Sequence, residues 1–200
     1  MLSYKQYLTE KVIEPSKVKG TLTLWHGGKL DFIEDQMKFK KGRTEYGPGL
    51  YLTTHYQTAL KYSKGSRKLY QVIIEKGKDA ANTKLPLSEV KEFINQYVIK
   101  KKVKEITEAV EKYYKRAKKV TAESVINIMI NYEALSTGKQ DELRKFLLSQ
   151  GVDYLTVNNP FGWGDQVMIV LFNPKKIVKK VVVEPKDEIK VFDLPKNFKR

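Results

Sequence analysis

The sequence predicts a mixed α+β fold in which two strand-rich, glycine-punctuated segments flank a helical one. Three observations carry this. Short runs rich in β-branched and aromatic residues occupy positions 21 to 26, 50 to 53 and 68 to 75. Apolar residues then recur at helical spacing from about 87 to 149. Beyond Gly151 the strand-like runs return. Strands must pair to satisfy their backbone groups, so the two strand-rich segments are expected to share a sheet, with the helices inserted between its halves.

The elements follow in order. An amphipathic leader over 1–20 spaces Leu2, Tyr4, Tyr7, Leu8 and Val12. A strand over Thr21 to His26 precedes a loop or short helix from Leu30 to Lys41. The turn Gly47-Pro48-Gly49 leads into a strand at Leu50 to Thr53, and a helix from Tyr56 to Ser63 is closed by Gly65. The strand "KLYQVIIE" comes next. In the middle segment Val90, Phe93, Ile94, Tyr97 and Val98, then Val103, Ile106, Ala109, Val110, Tyr113 and Ala117, mark three or four helices whose other faces are lysine-rich. Thr121 is a candidate N-cap, with Ser124 three positions later in place of the Glu or Gln of a full capping box. The helix "KQDELRKFLLSQ" ends at Gly151, followed by "VDYLTV", the loop "NNPFGWGD", and the strands "QVMIVLF" and "IVKKVVV". One domain over 21–200 is expected, with a helical insert at about 87–135.

The composition narrows the function classes. Zero cysteines exclude disulfides, thiolate metal sites and a cysteine nucleophile. The two histidines lack metal-ligand spacing, so no metal is expected. Neither GxxxxGK[ST] nor a GxGxxG after a strand is present. No apolar run approaches the length of a membrane span, and the N-terminus lacks a secretory core, so a cytoplasmic protein without a membrane partner is expected. The balance of 38 basic to 23 acidic residues gives +15, which favours a polyanionic partner such as nucleic acid, or a protein associated with it. Only five of the basic residues are arginines, so the field is diffuse, and a lysine-rich solvated surface accounts for it equally well.

Two stretches carry the chemistry. In "TLTLWHGGKLDF" a histidine, His26, leaves an apolar run and meets Gly27 and Gly28. A strand-end histidine can hydrogen-bond a ribose hydroxyl, and glycine lets a flat ring reach the main chain, although either residue can equally serve the fold alone. In "EYGPGLYLTTHYQTALKYSKG" Tyr51 follows the glycine turn and Tyr62 lies eleven residues later on the next helix. Two tyrosines so placed can sandwich a planar heterocycle, or pack the junction between strand and helix. His55 sits near a helix start and reads as a surface or capping residue.

Together, "LWHGG", "GPGLYLT" and the downstream "ALKY" resemble the donor site of ADP-ribosyltransferases of the diphtheria-toxin and poly(ADP-ribose) polymerase branch. "LLSQGVDYLTV" with "DQVMIVLFNPKKI" is similar to the closing part of small bacterial and phage enzymes of that class, so the resemblance spans 21–75 and 140–180. It implies an ADP-ribosyltransferase-like split β-sheet core with a helical insertion, and NAD as co-substrate. His26 would bind the adenosine-side ribose, Gly27 the nicotinamide carboxamide, and Tyr51 and Tyr62 the nicotinamide ring, with Thr53 as a polar contact. The loop holding Phe161, Trp163 and Asp165 would position the acceptor. The short leader "MLSYKQYLTE" also resembles N-termini that direct internal proteins into the heads of large tailed phages, which implies a phage-encoded enzyme acting in host cytoplasm.

The third motif departs from the family. Gln166 stands where a catalytic glutamate is usual. Glutamine accepts a hydrogen bond but supplies neither negative charge nor a base. The acceptor then needs no enzyme base, or Asp165 serves, or NAD is bound without turnover. The resemblance therefore implies mono-ADP-ribosyl transfer to a macromolecule by His26, Tyr51 and Gln166, with two rivals: a catalytically weak NAD-binding module, and a basic nucleic-acid-binding protein without NAD chemistry.

Overall fold

The strand-like runs pair across the helical segment. In a computed structural model, which describes residues 20–30, 32–33, 36–37, 45–63, 68–136, 138–158, 160 and 166–183, the chain is a mixed α/β protein built on an antiparallel sheet. The strands in chain order are β1 (Thr21–Gly27), β2 (Phe32–Ile33), β3 (Gln36–Met37), β4 (Leu50–Thr53) and β5 (Leu69–Glu75), then β6 (Lys84–Leu85), β7 (Val120–Thr121), β8 (Tyr154–Asn158), β9 (Val167–Leu171) and β10 (Ile177–Val183). Six of them form one sheet in the order β10-β5-β1-β4-β9-β8. The helices are α1 (Tyr56–Ser63), α2 (Leu87–Tyr97), α3 (Val103–Ala117), α4 (Ala122–Asn131) and α5 (Gln140–Ser149).

Strands β5 and β9 are buried on both faces and read as near-continuous apolar runs, whereas the edge strand β10 leaves Val178, Lys179, Lys180 and Val182 exposed. Along β9, Met168 and Val170 join the cluster under the middle helices, whereas Val167, Ile169 and Leu171 join Leu22, Leu24, Leu52 and Val72 on the opposite face. The helical face is divided. Helix α1 covers the β1 side, where Trp25 packs edge-on against Tyr56 with ring centroids 5.2 Å apart. The helices between β5 and β8 cover the β8 and β9 side through Phe93, Ile126, Met129 and Leu147.

Local expectations are corrected at three places. The segment expected as a loop or short helix after Leu30 contains an antiparallel pair, Phe32 opposite Met37 and Ile33 opposite Gln36. Phe32 and Ile33 both favour strands, and pairing prevails there over the helical spacing of Leu30, Ile33 and Met37. Thr121 caps α4 in a full box: its hydroxyl accepts from the Ser124 amide at 3.2 Å, and the Ser124 hydroxyl accepts from the Thr121 amide at 3.0 Å. Serine's short side chain thus does what Glu or Gln does elsewhere. The small pair of β6 with β7 joins residues over thirty positions apart, a pairing no local pattern announces. Gly151 adopts φ +73° just past α5, as its capping role requires. Residues 1–19 of the leader and Gly65 lie outside the described residues. Among the described residues no helix is long and apolar enough to cross a membrane.

Candidate functional site

The site forms where the sheet comes apart. Strands β1 and β5 share seven registered pairs, from Thr21 with Glu75 to Gly27 with Leu69. Strands β1 and β4 share one, Trp25 with Thr53. Backbone groups alternate sides along an antiparallel strand. Gly28 donates to the Lys68 carbonyl at 2.9 Å, on the β5 side, so the N–H and C=O of Gly27 face β4. The next rung of that ladder would join Gly27 to Tyr51, and it is not formed. The Tyr51 carbonyl instead accepts from His26 Nδ1 at 2.9 Å. A side chain has replaced a main-chain rung, leaving the Gly27 amide facing the gap without its ladder partner.

The same bond fixes the histidine. A carbonyl can only accept, so Nδ1 carries the proton and Nε2 is left as the acceptor of the neutral ring. Burial holds the imidazole below its ordinary value of 6.5, against the opposing pull of the Tyr51 and Lys29 backbone. His26 is therefore neutral at neutral pH.

A cavity of about 320 Å³ opens at this gap. His26, Gly27, Tyr51 and Thr53 line its sheet side, and Thr58, Ala59 and Tyr62 line its helix side. The spacing of Thr58 and Tyr62 places them on one face of α1. Gly27 is demanded by that helix: a Cβ on it would lie 1.8 Å from the Ala59 carbonyl oxygen. The Tyr51 ring is braced by its hydroxyl, which donates to the Gly47 carbonyl at 3.0 Å and accepts from the Tyr46 amide at 3.1 Å. Burial, with a contribution from the nearby Glu45 charge, pushes that hydroxyl up to about 12, so it stays protonated. Tyr62 is 53% exposed and offers the cavity a ring from the solvent side.

The structure thus brings His26, Gly27, Tyr51, Thr53 and Tyr62 to one cavity and places Gln166 differently. Gln166 is 3% exposed at the head of β9, and its Nε2 donates to Thr53 Oγ1 at 2.9 Å. It reaches the cavity through Thr53 and is not among the residues that line it. Phe161, Trp163 and Asp165 lie outside the described residues. His55 stands at the start of α1, its amide donating to Thr53 Oγ1 and its carbonyl accepting from Thr58 and Ala59. The residue that sequence reasoning missed is Glu45, the one carboxylate among the described residues lining the cavity. Its signal was available: it stands two positions before the glycine turn whose tyrosine faces the same space. Tyr46 ties this loop to the next by donating to the Pro160 carbonyl at 3.3 Å.

The cavity can hold a flat ring between a strand tyrosine and a helix tyrosine, offer main-chain groups to a carboxamide, and accept a hydroxyl at His26 Nε2. Compared with known proteins, the chain matches no family model, no curated protein and no solved structure.

Proposed function

We propose that this chain has an ADP-ribosyltransferase-like fold and moves one ADP-ribose unit from NAD to a macromolecular acceptor, releasing nicotinamide. The observation that carries this reading is the His26 to Tyr51 carbonyl bond across the broken ladder, which gathers the histidine, the glycine amide and both tyrosines at one cavity. The parting of the sheet between β1 and β4 supports the split-sheet reading. The cavity suits the nicotinamide ring and the sugars that reach His26, with the adenine end extending out of it.

In this reading Tyr51 and Tyr62 flank the nicotinamide ring, the Gly27 main chain pairs with its carboxamide, and His26 Nε2 accepts from a ribose hydroxyl. The bond between ribose C1′ and the nicotinamide nitrogen breaks, and its electron pair leaves with the ring, which becomes neutral. Positive charge then builds on the ribose as the acceptor's lone pair approaches C1′ and its proton departs. Negative charge nearby lowers that barrier. Glu45 is positioned to supply it and to take the proton; Gln166 acts by holding Thr53. The charge of +15 favours a nucleic acid, or a protein bound to one, as acceptor.

The test is incubation of the purified protein with NAD labelled in the adenylate, in cell extract. Wild type should label a macromolecule and release nicotinamide, while His26→Ala and Tyr51→Ala should remain folded and label nothing. Normal labelling by both variants would sink the site assignment. One observation favours a second reading, an NAD-binding module without transfer: Gln166 is buried on Thr53 rather than directed into the cavity. NAD binding without label or nicotinamide release would establish that reading. Absence of any NAD-induced thermal shift would leave the nucleic-acid-binding alternative.

A further inference from the structure

We infer that a recess between α3 and α4, remote in sequence from the cavity, is a docking site for single-stranded nucleic acid. The apolar stripe of α3 runs through the buried Ile106 and Val110, then leaves the core at Tyr113, which is 37% exposed. Its neighbours one turn to either side are Ala109 and Ala117, too small to cover the ring. Tyr132, at the end of α4 and 39% exposed, lines the same recess, of about 170 Å³. Lys102 donates to the Tyr132 carbonyl at 2.6 Å and so fixes the end of α4 that carries this ring.

Between the tyrosines α4 presents Asn127 and Asn131, one turn apart and both exposed, with the Ile128 side chain beneath. Two rings for stacking and two amides that both donate and accept are what unpaired bases require. The charge agrees. Residues 100–119 carry nine basic side chains and three acidic ones, and one of the acids, Glu111, is already paired with Lys91 at 2.5 Å. Glu123 lines the recess as well; its negative charge repels phosphate and directs a backbone toward the lysines after Tyr113. A duplex hides its base faces, so the tyrosines select for single strands.

The site is independent of NAD chemistry. If the transferase reading holds, a strand held here is the natural acceptor, because α4 also supports the turn that braces Tyr51: Ile126 lies behind Gly47, 3.1 Å from where a Cβ on that glycine would stand, and the Gly47 carbonyl accepts from the Tyr51 hydroxyl. That consequence rests on the transferase reading; the binding itself does not.

Fluorescence anisotropy with labelled 20-nucleotide strands of RNA and of DNA, and with the duplex of the same sequence, tests the site across a salt series. Single strands should bind more tightly than duplex, with affinity falling as salt rises. Tyr113→Ala and Tyr132→Ala should each weaken single-strand binding about tenfold. Asn127→Asp with Asn131→Asp, which adds charge at exposed positions, should weaken it similarly. The NAD thermal shift measured on the same variants should not change, which separates this inference from the transferase reading. Single-strand binding that survives loss of both rings, or duplex binding of equal strength, would reveal a diffuse lysine field and overturn the recess. RNA and DNA binding equally would support stacking, and binding of one alone would narrow the strand class.

Discussion

The cavity and the recess are built from different materials. The frame of the cavity is main chain: one registered pair of Trp25 with Thr53, a glycine pressed on a helix carbonyl, and a carbonyl held by His26. The recess is made of exposed side chains on helices whose buried faces pack elsewhere, at Val110, Ile126 and Met129. The main-chain part of the cavity cannot be altered without disturbing the fold, whereas the recess can lose its ligand-facing side chains and keep its stability.

Gly27→Ala breaks that contrast most severely. The added Cβ would fall 1.8 Å from the Ala59 carbonyl oxygen and 2.7 Å from the Ser63 nitrogen, both helix backbone, so α1 must move off the sheet. A loss of more than about 3 kcal/mol in a denaturant melt is expected, against less than about 0.5 kcal/mol for Tyr113→Ala at the recess. Equal midpoints for the two variants would show that the cavity wall is not set by main chain.

Glu45→Gln is a smaller change to the same wall. This side chain is exposed and lies outside the sheet, so the melt should be unaltered and the NAD thermal shift retained, while the rate of labelling falls on the order of 100-fold, the scale for loss of a positioned base or charge. An unchanged rate would exclude Glu45 and turn attention to the loop beyond Pro160.

Acid titration sharpens the contrast with the smallest effect. His26 titrates below 6.5 in the folded chain because of burial. Between its folded value and 6.5 the unfolded chain holds a proton that the folded one does not, so stability falls as pH drops through that window and is restored above it. The Nε2 acceptor is lost lower still, as the pH falls through the folded value. NAD binding should be level from pH 8 down to about 6.5 and decline only below, while recess variants leave that curve untouched. A decline centred above 6.5 would show that another group governs binding.

Much of this arrangement was legible in the sequence where local chemistry decides the structure. The strand after Gly47-Pro48-Gly49 and the helix from Tyr56 to Ser63 lie where turn residues and periodicity put them. Tyr51, Thr53 and Tyr62 stand within reach of one another because only Thr54 and His55 separate β4 from α1, whereas His26 and Gly27, over twenty positions before Tyr51, reach them through the pairing of β1 with β4. Features set by distant partners were not legible. Whether Gln166 faces the cavity depends on the Thr53 hydroxyl over a hundred positions earlier, and the pairing of β6 with β7 depends on helices folded between them. Gly27 was expected to face a ligand; its contact with Ala59 adds a packing demand that a strand pattern alone does not express.

The single pair joining β1 to β4 has a mechanical consequence. The six strands behave as two three-stranded leaves, one of β10, β5 and β1, the other of β4, β9 and β8, with a spine only one rung long. A planar amide that donates and accepts at Gly27 while lying against Tyr51 would stand in for the missing rung and strap the leaves together. Ligand entry would then stiffen the whole sheet rather than close a lid over it, and slower amide exchange at Leu171, far along β9, would register a molecule arriving beside Gly27.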